Sequence, residues 1–197
     1  MKLPRFLPLL PLGIALILSS CEDYPQPPQT AATGAAMAPT PIPTPAGHWY
    51  GSEGVSGEPR IIVHLHQQKA FFYKGNTLVG ESTVSTGKPG FSTPPGHYTV
   101  VSKDKNHISS EFGDYVDNNG YVVKANIDVR KDRQPRGTRF DGARMPYCMH
   151  FNGGYAMHEG YVPPYAASHG CIRLPKEMAH YFYNAAPIGT TLIVKQE

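Results

Sequence analysis

The chain is 197 residues long, with 17% charged residues and a formal net charge of +3. That length suits one domain of ordinary size with chain to spare, and the near-balanced charge gives no signal for nucleic acid or a strongly acidic partner. Its three cysteines, Cys21, Cys148 and Cys171, are too few for a disulfide scaffold, and the odd number asks what each one does.

Lys2 and Arg5 form a short basic start ahead of an apolar run over residues 6–18, interrupted by Pro8 and Pro11. Those thirteen residues are too few to cross a bilayer as a helix, so residues 1–20 read as an export signal. The signal ends Leu18-Ser19-Ser20-Cys21, which resembles the lipobox of bacterial lipoproteins. The resemblance implies cleavage before Cys21 and lipid on its thiol and new amino group, with several acyl chains holding the protein to a membrane. Ordinary secretory cleavage, leaving Cys21 free, is the alternative. Residues 21–57 read as a tether, with Pro25, Pro27, Pro28, Pro39, Pro41, Pro43 and Pro45 set among Ala, Thr and Gln. At roughly 3 Å per residue such a segment reaches tens of ångströms. Within it, His48-Trp49-Tyr50 is an aromatic island expected to pack on the edge of the domain that follows.

Residues 58–197 read as that domain. Residues 60–66 are rich in β-branched side chains and partly alternate, predicting a strand, and 69–74 and 77–85 predict two more. Gln67-Gln68 and Gly75-Asn76 would connect them as hairpins, the second with good turn chemistry and the first without. Thr86-Gly87-Lys88-Pro89-Gly90 and Thr93-Pro94-Pro95-Gly96 break the pattern before a fourth strand at 97–102. Residues 103–144 carry little periodicity beyond a turn at Asp117-Asn118-Asn119-Gly120 and a hairpin arm at 121–129. Over 130–144, six basic residues (Arg130, Lys131, Arg133, Arg136, Arg139, Arg144) stand against Asp132 and Asp141. A solvated surface is the plain reading of that stretch, and contact with substrate carboxylates is the alternative. Strands are predicted again at 145–151 and 155–158, around Asn152-Gly153-Gly154. Residues 175–186 predict a helix, with proline in its first turn and Met178, Tyr181, Phe182 and Ala185 as a packing stripe. Pro187 and Gly189 end it, and 191–195 closes the chain as a β-branched strand. The fold class is mostly β with one clear helix near the C-terminus.

The chemistry concentrates in Ser168-His169-Gly170-Cys171-Ile172-Arg173-Leu174, with His158 thirteen residues before the cysteine. A nucleophilic thiolate needs a base to form it and positive charge or amide dipoles to hold it, and this segment offers both. If 170–174 is extended, residues two apart share a face, so His169, Cys171 and Arg173 point one way while Ile172 and Leu174 anchor the segment in the core. Gly170 permits close approach of another chain and leaves amides to meet an oxyanion. Ser168 has a better nucleophile three residues on and is expected to orient a histidine. Cys148, inside a strand-like run, is expected to be a small buried hydrophobe. His158, Glu159, His169 and Cys171 are also metal-ligand types, but their spacing matches neither a helical H-E-x-x-H pair nor C-x-x-C knuckles, so no metal is expected.

These seven residues, preceded by His158, resemble the signature of the L,D-transpeptidases, the YkuD-type domain. The resemblance extends over roughly residues 60–195 through Ser85-Thr86-Gly87-Lys88, Thr93-Pro94-Pro95-Gly96, Met145-Pro146-Tyr147 and Gly189-Thr190-Thr191, in the family's order. Glu159 departs from the pattern, since many members have glycine directly after the histidine; here glycine follows at Gly160. The resemblance implies a sandwich-like or barrel-like β catalytic fold and a peptidoglycan cross-linking enzyme. In that reading the Cys171 thiolate attacks the diaminopimelate carbonyl of a tetrapeptide stem and expels D-alanine, and the acyl group passes to an amine of a second stem. His158 corresponds to the general base; Ser168, His169 and Gly170 support it or shape the oxyanion site, and Arg173 positions the loop or binds substrate.

The same resemblance implies no metal or other cofactor. Its partners are peptidoglycan stem peptides and a membrane reached through the Cys21 lipid, with no nucleic acid and a monomer as the default. The expected location is the bacterial cell envelope, with the domain facing the periplasm and cell wall. Water as acceptor would make a carboxypeptidase or amidase, and a protein lysine would make a wall-anchoring enzyme. A non-catalytic wall-binding lipoprotein and a metal hydrolase are the further alternatives.

Overall fold

The computed structural model describes residues 46–197. The export signal at 1–20, Cys21 and most of the 21–57 tether lie outside the described residues.

Two sheets and one helix make up the described part of the chain. The strands are β1 (Gly47–Trp49), β2 (Pro59–His64), β3 (Lys69–Lys74), β4 (Thr77–Thr83), β5 (Gly96–Thr99), β6 (Ser102–Val116), β7 (Val122–Asp128), β8 (Arg139–Asn152), β9 (Tyr155–Glu159), β10 (Ile172–Leu174) and β11 (Thr191–Lys195), with helix α1 (Lys176–Ala185) between the last two. The six-stranded sheet runs β1-β4-β3-β2-β11-β5 and the five-stranded sheet β10-β9-β8-β6-β7. Hairpins supply the antiparallel pairs β2–β3, β3–β4, β6–β7 and β8–β9. The pairs β1–β4, β5–β11 and β6–β8 are antiparallel between strands apart in sequence, and β2–β11 and β9–β10 are parallel. The mostly β expectation with a single helix near the C-terminus holds.

The core lies where the inward faces of both sheets meet the helix. Ile61, Val63, Phe72, Val79, Leu192 and Val194 come from the six-stranded sheet, Met149, Met157, Ile172 and Leu174 from the other. Along β2 the side chains at alternate positions, Ile61 and Val63, are fully buried, as a pleat covered on one face requires. The helix contributes Met178, Ala179 and Phe182, and Phe182 meets Phe72 edge to face at 5.2 Å. Tyr181, expected in that stripe, is half-exposed and stacks flat on Trp49 at 5.2 Å. Trp49 in turn packs on Phe72 and belongs to an edge strand paired with β4, so the packed domain begins about ten residues before the expected boundary at 58. Gly80, opposite Trp49, leaves room for the indole, whose six-membered ring occupies the place of any Cβ there.

Three sequence expectations change. The β2–β3 connection is a four-residue turn rather than Gln67-Gln68 alone, and Gln68 takes φ 50°. Residues 103–144 are mainly strand, since β6 spans 15 residues and β8 spans 14, and β6 pairs antiparallel with β7 on one side and β8 on the other. The strand expected at 145–151 is therefore the inner half of β8, and Arg139 and Arg144 of the basic stretch are strand residues.

Candidate active site

Strand β10 is three residues long and is held from both sides. Ile172 and Leu174 are wholly buried, which fixes the opposite face for Cys171 and Arg173. In the parallel pairing with β9, Arg173 lies beside His158 and Ile172 beside Met157. His158, Arg173 and Cys171 therefore share one face, with Cys171 one pleat period, about 6.6 Å, behind the Arg173–His158 level. On its other side the segment is zipped to residues 85–88. Ser85 and Arg173 exchange both backbone hydrogen bonds (3.0 and 2.9 Å), Ser168 N–H donates to the Thr86 carbonyl, and Lys88 N–H to the Ser168 carbonyl.

Side chains lock the turn before Cys171. Ser168, buried, donates from Oγ to the Cys171 carbonyl at 2.5 Å and accepts from Gly170 N–H at 3.0 Å. Thr93 Oγ1 donates to the Gly170 carbonyl at 2.7 Å and accepts from Gly87 N–H at 2.9 Å. Gln68 completes the frame from beneath, its amide bonding Thr86 at Oγ1 (2.7 Å) and at N–H (2.9 Å). Gly170 has φ +117°, and a Cβ there would sit 2.7 Å from the Tyr155 ring, so glycine is required both for conformation and for space. The Gly170 amide is engaged by Ser168, whereas the amides of His169 and Cys171 make no hydrogen bond among the described residues. Those two are the candidate oxyanion donors.

His158 is 6% exposed, and its Nδ1 lies 2.6 Å from the Glu159 carbonyl. A carbonyl only accepts, so Nδ1 carries the proton and Nε2 presents a lone pair, the tautomer a general base needs. Burial pushes the imidazole down to about 4, keeping it neutral at physiological pH. Burial raises the Cys171 thiol, opposed by a backbone hydrogen bond at Ala156 and by the charge of Arg173. The thiol rests 3.8 Å from the Gly154 carbonyl. Arg173 is partly buried and forms no salt bridge among the described residues; its stem lies against Gly160, where a Cβ would be 3.1 Å away. Glycine at 160, one place later than the family pattern, thus makes room for the arginine. Cys148 is fully buried, and desolvation pushes its thiol up to about 12. It is a poor nucleophile in that setting, as the sequence reading held.

His169 packs among aromatic rings. Phe112 of β6 stacks on its ring at 5.0 Å and Phe91 meets it edge-on at 4.7 Å. Arg130 covers Phe112 at 5.3 Å, and Lys88 and Lys131 lie over Phe91 at 5.3 and 5.2 Å. These contacts tie the 86–95 loop, β6 and the basic stretch to His169 of the cysteine segment. Asp128 holds Arg130 through Nε at 2.8 Å, and that hydrogen bond lowers the carboxyl to about 2, while Glu111 takes Arg130 Nη1 at 3.1 Å. Arg130 and Arg139 are thus matched within the fold; Arg133, Arg136 and Arg144 have no salt-bridge partner among the described residues. Phe91 and Phe112 were not singled out in the sequence and Gln68 only as a turn residue, since nothing local marks a loop aromatic as a neighbour of a distant histidine. His158, Glu159, His169 and Cys171 do not assemble as a ligand cluster among the described residues; His107, Cys148 and His150 do.

Comparison with known proteins identifies the family and the fold. The L,D-transpeptidase catalytic domain family matches residues 58–194. The protein named L,D-transpeptidase 3 from Mycobacterium tuberculosis is 35% identical over 120 residues, 59% of this chain and 39% of that protein. YqjB of Bacillus subtilis, described as an L,D-transpeptidase, is 25% identical over 153 residues, 75% of this chain and 77% of that protein. Among solved structures, an L,D-transpeptidase from Mycobacterium smegmatis superposes with a TM-score of 0.54 at 20% identity, over 71% of this chain and 59% of that one. The chain thus spans about two fifths of the Mycobacterium tuberculosis relative and three fifths of the Mycobacterium smegmatis chain. The matched region holds β2 through most of β11, including the whole Cys171 segment and His158, and the chain belongs to the L,D-transpeptidase catalytic domain family.

Proposed function

We propose that the protein is a peptidoglycan L,D-transpeptidase acting through Cys171. The observation that carries this reading is the single face shared by Cys171, Arg173 and a His158 whose tautomer is set by the Glu159 carbonyl. His158 Nε2 takes the thiol proton as Sγ attacks the diaminopimelate carbonyl carbon of a tetrapeptide stem, the thiol turning from Gly154 toward the imidazole. The carbonyl oxygen becomes an oxyanion facing the His169 and Cys171 amides. The amide C–N bond then breaks, the imidazolium returns its proton to the departing D-alanine nitrogen, and a thioester remains on Cys171. An amine of a second stem attacks the thioester, His158 accepts its proton, and the new amide leaves with the thiolate restored. Arg173 offers its guanidinium, which has no salt-bridge partner among the described residues, to the donor stem, whose backbone is rich in carbonyls and carboxylates. Since one amide is exchanged for another, the chain's own residues account for every proton moved.

The N-terminal sequence supports a location to match. Leu18-Ser19-Ser20-Cys21 directs cleavage and lipidation at Cys21, and the proline-rich segment after it holds the domain above a bacterial envelope membrane, facing the wall. Labelling with a fatty-acid analogue is expected to mark the wild type and not Cys21→Ala, which fractionates with soluble protein; a labelled or membrane-bound Cys21→Ala chain contradicts the anchor. For the catalytic reading, incubation with a carbapenem is expected to add one adduct to the protein mass in the wild type and none in Cys171→Ala. An adduct that survives in Cys171→Ala contradicts the nucleophile.

A further inference from the structure

A second cluster of reactive side chains lies on the same sheet and takes no part in the proposed acyl transfer. Cys148 and His150 sit two apart on one face of β8, and His107 reaches them from the adjacent β6. One ligand atom from each of the three lies within 4.8 Å of the others. Cys148 Sγ is 3.8 and 3.9 Å from the two ring nitrogens of His150, and the His107 and His150 rings stand nearly perpendicular with centroids 4.9 Å apart. We propose that His107, Cys148 and His150 form a three-ligand site for a thiophilic divalent transition-metal ion of the zinc class.

The distances come close to what such an ion demands. With Zn–S near 2.3 Å and Zn–N near 2.05 Å, tetrahedral ligation places sulfur and nitrogen about 3.6 Å apart. The Cys148–His150 separation already approximates this, and His107, whose side chain is 28% exposed, has freedom to close the remainder. The surroundings also match those of a metal site. His107 Nδ1 faces the Asp104 carboxylate at 3.3 Å, and His150 Nδ1 faces Ser102 Oγ at 3.4 Å. Partners of that kind fix ring orientation and leave Nε2 to ligate, and a carboxylate behind a histidine raises its basicity. The fold also departs from regularity to assemble the set. Tyr147 takes φ 55°, uncommon for a bulky residue, and Met145 and Cys148, three apart, then pack in one cluster where a regular strand would send them to opposite faces. A soft thiolate with two imidazoles selects zinc-like ions over magnesium or calcium, and three protein ligands leave a fourth position open. Binding releases the thiol proton to solvent and forms the metal–sulfur bond, with no change of oxidation state.

The test uses the full chain carrying Cys21→Ser and Cys171→Ser, so that Cys148 is the one remaining thiol. Titration with Co2+ is expected to give one equivalent of binding with a thiolate-to-cobalt charge-transfer band, bleached by one equivalent of Zn2+. Adding Cys148→Ser is expected to abolish the band, and His107→Gln or His150→Gln to weaken Zn2+ binding at least tenfold by calorimetry. Asp104→Asn, which leaves the three ligands in place, is expected to weaken it about tenfold or more. Absence of the band, its persistence after Cys148→Ser, or Zn2+ affinity unchanged by His107→Gln would overturn the site. Because partly exposed His107 lies outside the hydrophobic core, its variant remains informative if Cys148→Ser unfolds. None of these readouts depends on transpeptidation, so loss of this site and loss of the catalytic reading are separable.

Discussion

Replacing His158 by glutamine is expected to flatten the acid dependence of stability by a calculable amount. His158 is buried and neutral in the folded chain, with its pKa depressed to about 4, against about 6.5 when the chain unfolds. Below pH 6.5 the unfolded state therefore binds a proton that the folded state refuses, and stability falls as pH drops through the folded value. The gap of about 2.5 pKa units, at 1.36 kcal/mol each, corresponds to about 3 kcal/mol lost between pH 7 and pH 4. Glutamine keeps a group able to donate to the Glu159 carbonyl and has no titration in this range. Urea unfolding of the wild type and His158→Gln at pH 7, 6, 5 and 4 measures the difference directly, since other titrating groups cancel in the subtraction. The stability difference is expected to change by about 3 kcal/mol in favour of the variant across that window, most of it below pH 6. Parallel curves would refute the buried, neutral imidazole.

The remaining expectations concern the frame around the thiol. Ser168→Ala leaves the Gly170 N–H and the Cys171 carbonyl without their partner and is expected to cost about 1–3 kcal/mol in a thermal or urea melt, with slower alkylation of Cys171. Gly170→Ala forces a side chain into φ +117° against Tyr155 and is expected to lower both the melting temperature and the acylation rate, the latter at least tenfold by stopped-flow with a carbapenem. Gly80→Ala drives a methyl into the Trp49 indole and is expected to destabilise by about 1–3 kcal/mol while leaving the acylation rate of the folded protein unchanged. His158→Gln is expected to slow alkylation of Cys171 near neutral pH far more than His169→Gln, because the His169 ring is packed against Phe91 and Phe112 whereas His158 lies beside Arg173 with Nε2 free to accept a proton. Equal effects would reassign the base.

How much of this was readable in the chain depended on how locally each feature is encoded. Strand 69–74 and the helix were legible because an aromatic run, a leading proline and helical spacing act over a few residues. The burial of Ile172 and Leu174 followed from period-two geometry alone. The long pairing of β6 with β8 was not legible, because much of Ser102–Val116 is solvated on both faces and shows no alternation. Trp49 was placed on an edge correctly, but the strand it belongs to pairs with β4, some thirty residues on, and no local signal marks that pairing. At the site, Cys171, His158 and Arg173 carry a recognisable motif, whereas Gln68 and Thr93 act through contacts set by register across 18 and 77 residues of chain. His107 escaped notice for the same reason, since only the β6–β8 pairing and the turn of backbone at Tyr147 bring it to Cys148.

The most direct measurement of the central claim is incubation of the full chain with purified tetrapeptide muropeptides, followed by mass spectrometry of products and protein. Wild type and Cys148→Ala are expected to yield a dimer with loss of one D-alanine and a thioester on the protein under acid quench, and Cys171→Ala neither. Dimer formation by Cys171→Ala, or an acyl group found on Cys148 in the wild type, would contradict the account.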